Sequence, residues 1–151
     1  MFRPALTLAV VIVSAPVAVQ AREVGCWFEH GVVVVPARVA GVDGDFILDT
    51  GAPATVLHET RAQTAGYEAT RLRGDVRVAG LTLLDRPIEV VDLDARTFQF
   101  DTPIAGVIGA DVLSGQVIDI DFAPCRVQIS RPGAAPAFPS GVRLALEMTS
   151  G

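Results

Sequence analysis

The sequence predicts an all-β domain with one or two short helices, and three observations predict it. Apolar and polar residues alternate with period two through most of the chain, as in strands that bury one face. Glycine, proline and aspartate break these runs at short intervals. Only two stretches suit a helix, and both are short. With 151 residues, half of them hydrophobic, the chain can bury one real core and is short for two.

Taken in order, residues 1–21 read as an export signal. Arg3 precedes the apolar run ALTLAVVIVSAPVAVQA, and Val19 and Ala21 offer a small-residue cleavage site. The run is short for a membrane span and Pro16 interrupts it; an uncleaved anchor is the alternative. Glu23 and Val24 stand ahead of Cys26 where a lipoprotein signal needs small residues. Export, periplasmic or secreted, with no membrane attachment after signal removal, is therefore expected. In an oxidising compartment Cys26 and Cys125 are free to form one disulfide, with two buried thiols as the alternative.

The stretch GVVVVPARVAGVDGDFILDTG reads as two short strands around a turn at GVDGD, where Gly41 and Gly44 supply backbone freedom. HETRAQTAG suits a short helix ended by Gly66. VRVAGLTLLDRPIEVVDL repeats the strand pattern, punctuated by Gly80 and DRP. ADVLSG suits a second short helix, with Asp111 as its cap. QVIDIDFAPCRVQIS reads as a hairpin turning at APC, because Ile118 and Ile120 alternate with Asp119 and Asp121 and the pattern resumes at Val127 and Ile129. These elements place the domain at 22–130. Residues 131–151, rich in Pro, Gly and Ala, read as an irregular tail with one late strand at VRLALEM.

Charge and motifs exclude several classes of function. Net charge is −5, and all 12 basic residues are arginines, so no basic stripe is available to track phosphates and nucleic acid is not an expected partner. No serine lies in a GxSxG context. His30 and His58 are far apart and lack metal-ligand spacing, which reads as two surface histidines and no metal or other cofactor. The acids of VDLDAR and IDIDF read as a solvated sheet face rather than a calcium site. Arg73–Asp75 spell RGD, an adhesion tripeptide when displayed on a loop, and this keeps a secreted binding module among the alternatives.

Asp49 is the residue these patterns leave unexplained. It follows Phe46, Ile47 and Leu48 at the end of an apolar strand, where a carboxylate is costly unless it is used. Gly51 lets the chain turn sharply beside it, and the Thr50 hydroxyl can bond neighbouring backbone. Alone, Asp-Thr-Gly is also an ordinary turn.

In context, FILDTGAPATVL (Phe46–Leu57) resembles the active-site segment of retropepsin-like, retroviral-type aspartic proteases. IAGVIGADVL (Ile104–Leu113) resembles that family's two aliphatics and glycine before a short helix, 60 residues on from Asp49 to Gly109, and VIDIDFAPCRVQI is similar to the closing hairpin of exported bacterial members. The resemblance covers most of Val32–Ile129. It implies a closed β-barrel that supplies half of an active site, with Asp49 catalytic and Thr50, Gly51 and Ala52 shaping it. Thr50 would bond across a dimer axis. Val107 and Ile108 would line the substrate pocket, as the family's aliphatic pair does, or fill the core, with Val107 the stronger candidate for the pocket, and Gly74 would lie near the tip of a substrate-covering flap, among Arg71, Arg73 and Asp75 rather than a glycine cluster. The single Asp-Thr-Gly implies a homodimer in which two Asp49 carboxylates share one proton, activate water and hydrolyse a peptide bond without cofactor or metal. The alternative within the same fold is a catalytically silent module that binds a peptide or protein.

Overall fold

The valine run at Val32–Val39 opens a barrel because its neighbours in the sheet close back on it. In the computed structural model, which describes residues 23–137, 140–142 and 144–145, the strands are β1 (Val24–Gly25), β2 (Trp27–Glu29), β3 (Val32–Val39), β4 (Val42–Leu48), β5 (Val56–His58), β6 (Arg71–Val78), β7 (Leu81–Val91), β8 (Ile104–Ile108), β9 (Val117–Phe122) and β10 (Cys125–Ser130). Three short helices intervene: α1 (Glu59–Thr64), α2 (Asp94–Thr97) and α3 (Ala110–Leu113). Neighbouring strands run β3-β4-β8-β5-β7-β6, and β6 returns to β3 through Ala37↔Val78, Arg38↔Arg77 and Val39↔Val76. The result is a closed six-stranded barrel, the all-β fold the sequence implied, and closure leaves its strands without free edges.

Hairpins β3–β4 and β6–β7 turn on two-residue loops, Ala40-Gly41 and Ala79-Gly80, in which both residues have positive φ. That twist matches the strands it joins. Gly44, expected in the first turn, lies instead within β4, where an added Cβ would come 2.5 Å from the Ala105 Cβ. Its lack of a side chain serves packing, not reversal.

Strand β8 is buried at all five positions, because β4 flanks it in parallel on one side and β5 antiparallel on the other. Two-sided burial is why IAGVI carries no alternation. Phe46, Leu57, Val76, Ile88 and Ile108 form the barrel core with Val127 and Ile129 of the closing hairpin. At its tightest point an added Cβ on Gly106 would lie 2.2 Å from the Val56 carbonyl oxygen and 2.8 Å from the Phe46 ring. Gly106→Ala is therefore expected to destabilise the fold by about 3 kcal/mol, read as a lower urea midpoint at unchanged slope.

Outside the barrel, β1, β10 and β9 form a second sheet, and Cys26 and Cys125 are joined in a disulfide that ties β1 to the hairpin's turn. Among the described residues no helix is long and apolar enough to cross a membrane. The export signal lies outside the described residues. Of the expected late strand, Val142, Leu144 and Ala145 are described and are not in a strand, and the remainder is outside.

Two local readings change. VDLDAR is not a continuing strand: Leu93 is buried, the Asp92 carboxylate accepts the Asp94 N–H at 2.8 Å, and the Arg96 and Thr97 N–H groups donate to the Leu93 carbonyl, forming α2. RGD is not on a loop. Arg73, Gly74 and Asp75 lie inside β6, with Arg73 paired to Asp85 at 2.8 Å.

Candidate active site

Because β8 lies between β4 and β5, the chain cannot pass from one to the other by a hairpin. It must cross the end of β8, and residues 49–55 make that crossing. Asp49 is the first of them, so the topology itself lifts its carboxylate off the sheet.

Several bonds fix the crossing in place. The Asp49 N–H donates to the Ile108 carbonyl at 3.1 Å, and the Ala110 N–H to the Ala52 carbonyl at 2.7 Å. Gly109 passes so close that an added Cβ would lie 2.5 Å from the Ala54 carbonyl oxygen, which explains a glycine after the aliphatic pair. The Gly109 N–H donates to the Thr55 hydroxyl at 3.1 Å, and that hydroxyl donates to Asp111 Oδ1 at 2.8 Å. Thr55 is fully buried, so both bonds are shielded from water. Asp111 thus anchors the loop through Thr55; it sits one residue inside α3 and makes no cap bond at the Gly109 N-cap, contrary to the expectation that it caps the helix.

Within the turn, the Gly51 N–H donates to Asp49 Oδ1 at 2.8 Å and the Ala52 N–H to the Asp49 carbonyl at 3.2 Å. One carboxylate oxygen is thereby fixed. The other, Oδ2, has the Arg96 Nη2 at 3.8 Å, an ion-pair separation beyond a hydrogen bond. Thr50 and Gly51 are exposed, and among the described residues the Thr50 hydroxyl makes no hydrogen bond within its own chain.

Beside Asp49 opens a cavity of about 190 Å³. Val32, Ile47, Leu93, Phe100 and Val107 form its apolar wall; His30, Arg96, Thr97 and Gln99 complete it. Val107, only 2 % exposed, both fills the second core cluster and lines this cavity, while Ile108 is buried in the main core. Ala52 packs on the second cluster. Among the described residues Asp49 is the only carboxylate in the lining.

Gly74 is not brought there. The β6–β7 hairpin reverses at Ala79-Gly80, and Gly74 lies in β6 where an added Cβ would come 2.7 Å from the Ala40 Cα. It borders a different hollow of about 430 Å³ with Arg38, Tyr67, Arg73 and Arg77. Although larger, that hollow offers little free charge: Arg38, Arg73 and Arg77 are paired with Asp43, Asp85 and Asp75.

The wall at Phe100 is pinned from below by Glu29. Its Oε1 accepts the Asp101 N–H at 2.7 Å and its Oε2 the Trp27 indole N–H at 3.3 Å. Desolvation pushes the Glu29 carboxyl upward, but the bonds from Thr102, Asp101 and Trp27 together outweigh it and hold it below the usual glutamate range. A carboxyl depressed in the folded state contributes stability above its unfolded value and loses it as pH falls through the folded one. The melting-temperature gap between the wild type and Glu29→Ala should therefore be full at pH 6 and close only below about pH 4, measured by thermal scans across pH.

His58 is 6 % exposed, not a surface residue as its isolation in the sequence had implied, and its Nε2 lies 3.1 Å from Asp94 Oδ1. With Asp92 these groups place ligand atoms within 4.8 Å of one another, a spacing that could hold a metal ion, although both acids are exposed and Asp92 is engaged with the Asp94 backbone. His30, in a positive-φ turn at the cavity, stacks edge-on to Phe100 at 5.2 Å.

Sequence reasoning missed Arg96, Leu93 and the role of Thr55. Thr55 falls inside the recognised motif, but its partner Asp111 is 56 residues away, and nothing in the local pattern around Arg96 marks it.

Comparison with known proteins adds to this geometry. Solved structures that the chain matches include a retropepsin-like aspartic protease from Rickettsia conorii, with a TM-score of 0.49 and 20% identity over 72% of this chain and 90% of that one. Another is the retroviral protease-like domain of Ddi1 from Leishmania major, at TM-score 0.42 and 18% identity over 68% and 94%. No curated protein matches the chain. The sequence profile described as Aspartyl protease matches residues 35–120, a span running from β3 through Asp49 and Gly109 into β9. With more than half of its length in that match, the chain belongs to the aspartyl protease family.

Proposed function

We propose that the protein is an endopeptidase that works as a homodimer, its two Asp49 carboxylates meeting at the symmetry axis. The observation that carries this reading is a rigidly mounted carboxylate beside an apolar-walled cavity that, among the described residues, contains no second acid. The missing acid is supplied most simply by a second copy, since a two-fold axis brings the same exposed Asp49-Thr50-Gly51 turn to both sides. Two carboxylates about 3 Å apart share one proton. The ionised member takes a proton from water while the protonated member polarises the peptide carbonyl, and Thr50, without a side-chain bond among the described residues, bonds across the axis.

The substrate is a peptide or protein, and no metal or cofactor enters the mechanism. Incubating the purified protein with a peptide mixture across pH tests it: cleavage strongest in acid and blocked by a hydroxyl-bearing mimic of the tetrahedral intermediate is expected. Cleavage that is flat through neutral pH would count against the shared proton.

A catalytically silent peptide-binding module is the second reading, and the connection from α1 to β6 favours it. Only residues 65–70 join them, and Arg71 is already paired with Glu89, so no glycine-rich hairpin in this segment extends over the cavity. Peptide binding without turnover would select the module. In either case we read residues 22–130 as the working domain and 131–151 as a tail. Export to the periplasm or medium follows from the apolar N-terminal run, and the Cys26–Cys125 bridge is compatible with it.

A further inference from the structure

We propose that Arg96 makes the cavity beside Asp49 selective for an acidic side chain, so that the favoured peptides carry Glu or Asp next to the scissile bond. The inference rests on the reading of Asp49 as the catalytic group. It goes further in naming a substrate class that an apolar wall alone does not predict.

The first support is the division of the lining. Val32, Ile47, Phe100 and Val107 give a surface that methylene groups can cover, whereas His30, Arg96 and Gln99 can donate hydrogen bonds; the Thr97 hydroxyl already donates to the Leu93 carbonyl at 3.0 Å. Apart from Asp49, the lining contains no acid to repel an incoming carboxylate. A side chain with an apolar stem and an anionic tip fits that arrangement, and a leucine would leave the donors at the rim without an acceptor.

The second support is the state of Arg96 itself. Its side chain is 64% exposed, its ion-pair partner Asp49 stands at 3.8 Å, and among the described residues it donates no side-chain hydrogen bond. Arg73, beside the larger hollow, is by contrast committed: it makes two bonds to the Asp85 carboxylate and one to its carbonyl. Arg96 thus keeps a planar fork of donors free, the geometry that a carboxylate engages with two parallel bonds. Helix α2 holds the residue in place from the opposite side, where Asp94 bonds to buried His58 and Leu93 plugs the second core cluster. When Asp49 turns to water and its symmetry mate, Arg96 loses that ion-pair partner, and a substrate carboxylate replaces it.

The test uses pairs of non-cleavable peptides with a hydroxyethylene group in place of the scissile bond. They are identical except for Glu or Gln beside that group, and binding is measured by calorimetry at a pH of about 5.5 or above, where Glu is ionised. The wild type should bind the Glu peptide roughly tenfold more tightly than the Gln peptide, with the ratio shrinking as salt is raised. In Arg96→Leu the ratio should fall to about one, and in Arg96→Glu a Lys peptide should overtake the Glu peptide. Equal binding of Glu and Gln peptides by the wild type, a preference that survives Arg96→Leu, or no binding of any of them overturns the proposal. Cleavable versions of the peptides keep the two readings apart. Arg96-dependent selectivity without turnover would remove the endopeptidase and leave only the cavity's preference for an acidic side chain, and turnover without selectivity would do the reverse.

Discussion

Asp49→Asn is expected to lower kcat/KM for any cleaved peptide by about 10³-fold while shifting the melting temperature by only a few degrees. Asparagine has the same shape, and its side-chain oxygen can still accept the Gly51 N–H that now holds Asp49 Oδ1 at 2.8 Å, so the turn over β8 persists. What disappears is ionisation. In the homodimer both members of the pair change at once, leaving no group to take the proton from water. Peptide affinity should survive, because the apolar wall of the cavity is untouched. A binding assay run beside the kinetic one separates lost chemistry from lost structure.

Loss of the Cys26–Cys125 bridge should produce the largest change in stability. The joined residues are 99 apart in sequence, and in the chain-entropy account a closed loop of that size is worth about 5 kcal/mol. Among the described residues the rest of the attachment is modest: β1 contributes the pairs Val24↔Val127 and Gly25↔Arg126, with one further bond from the Cys26 N–H to the Cys125 carbonyl and an ion pair of Glu23 with Arg126 at 3.3 Å. Urea unfolding with and without reductant should show a lower midpoint and a steeper slope for the reduced protein, whose unfolded chain is more open. An unchanged midpoint would mean that the barrel carries its stability without the second sheet.

Much of this architecture is legible in the sequence because period-two alternation and turn chemistry act locally. The β9–β10 hairpin, the helix at Glu59–Thr64 and the paired strands up to Leu48 follow from nearest neighbours. Where the reading slipped, a distant contact decided the outcome. Gly44 looked like a turn residue and is a packing residue against Ala105. Gly74 looked like the tip of a flap, yet it is pressed against Ala40 in the middle of a strand. The short helix at Asp94–Thr97 was hidden because burial of Leu93 and the Asp92 side-chain bond override an apparently alternating pattern. The candidate site divides the same way. Asp49 and its glycine stand out as a motif, whereas Arg96 reaches them only through the fold.

The pairing of Asp49 across a two-fold axis can be tested by mixing. Wild-type chains are combined with Asp49→Asn chains in varied proportion at fixed total concentration, allowed to exchange, and assayed for peptide cleavage. If each site needs one carboxylate from each of two subunits, mixed dimers are inactive and activity follows the square of the wild-type fraction. Activity strictly proportional to that fraction would mean that one chain hydrolyses alone, and the shared-proton account would have to be given up.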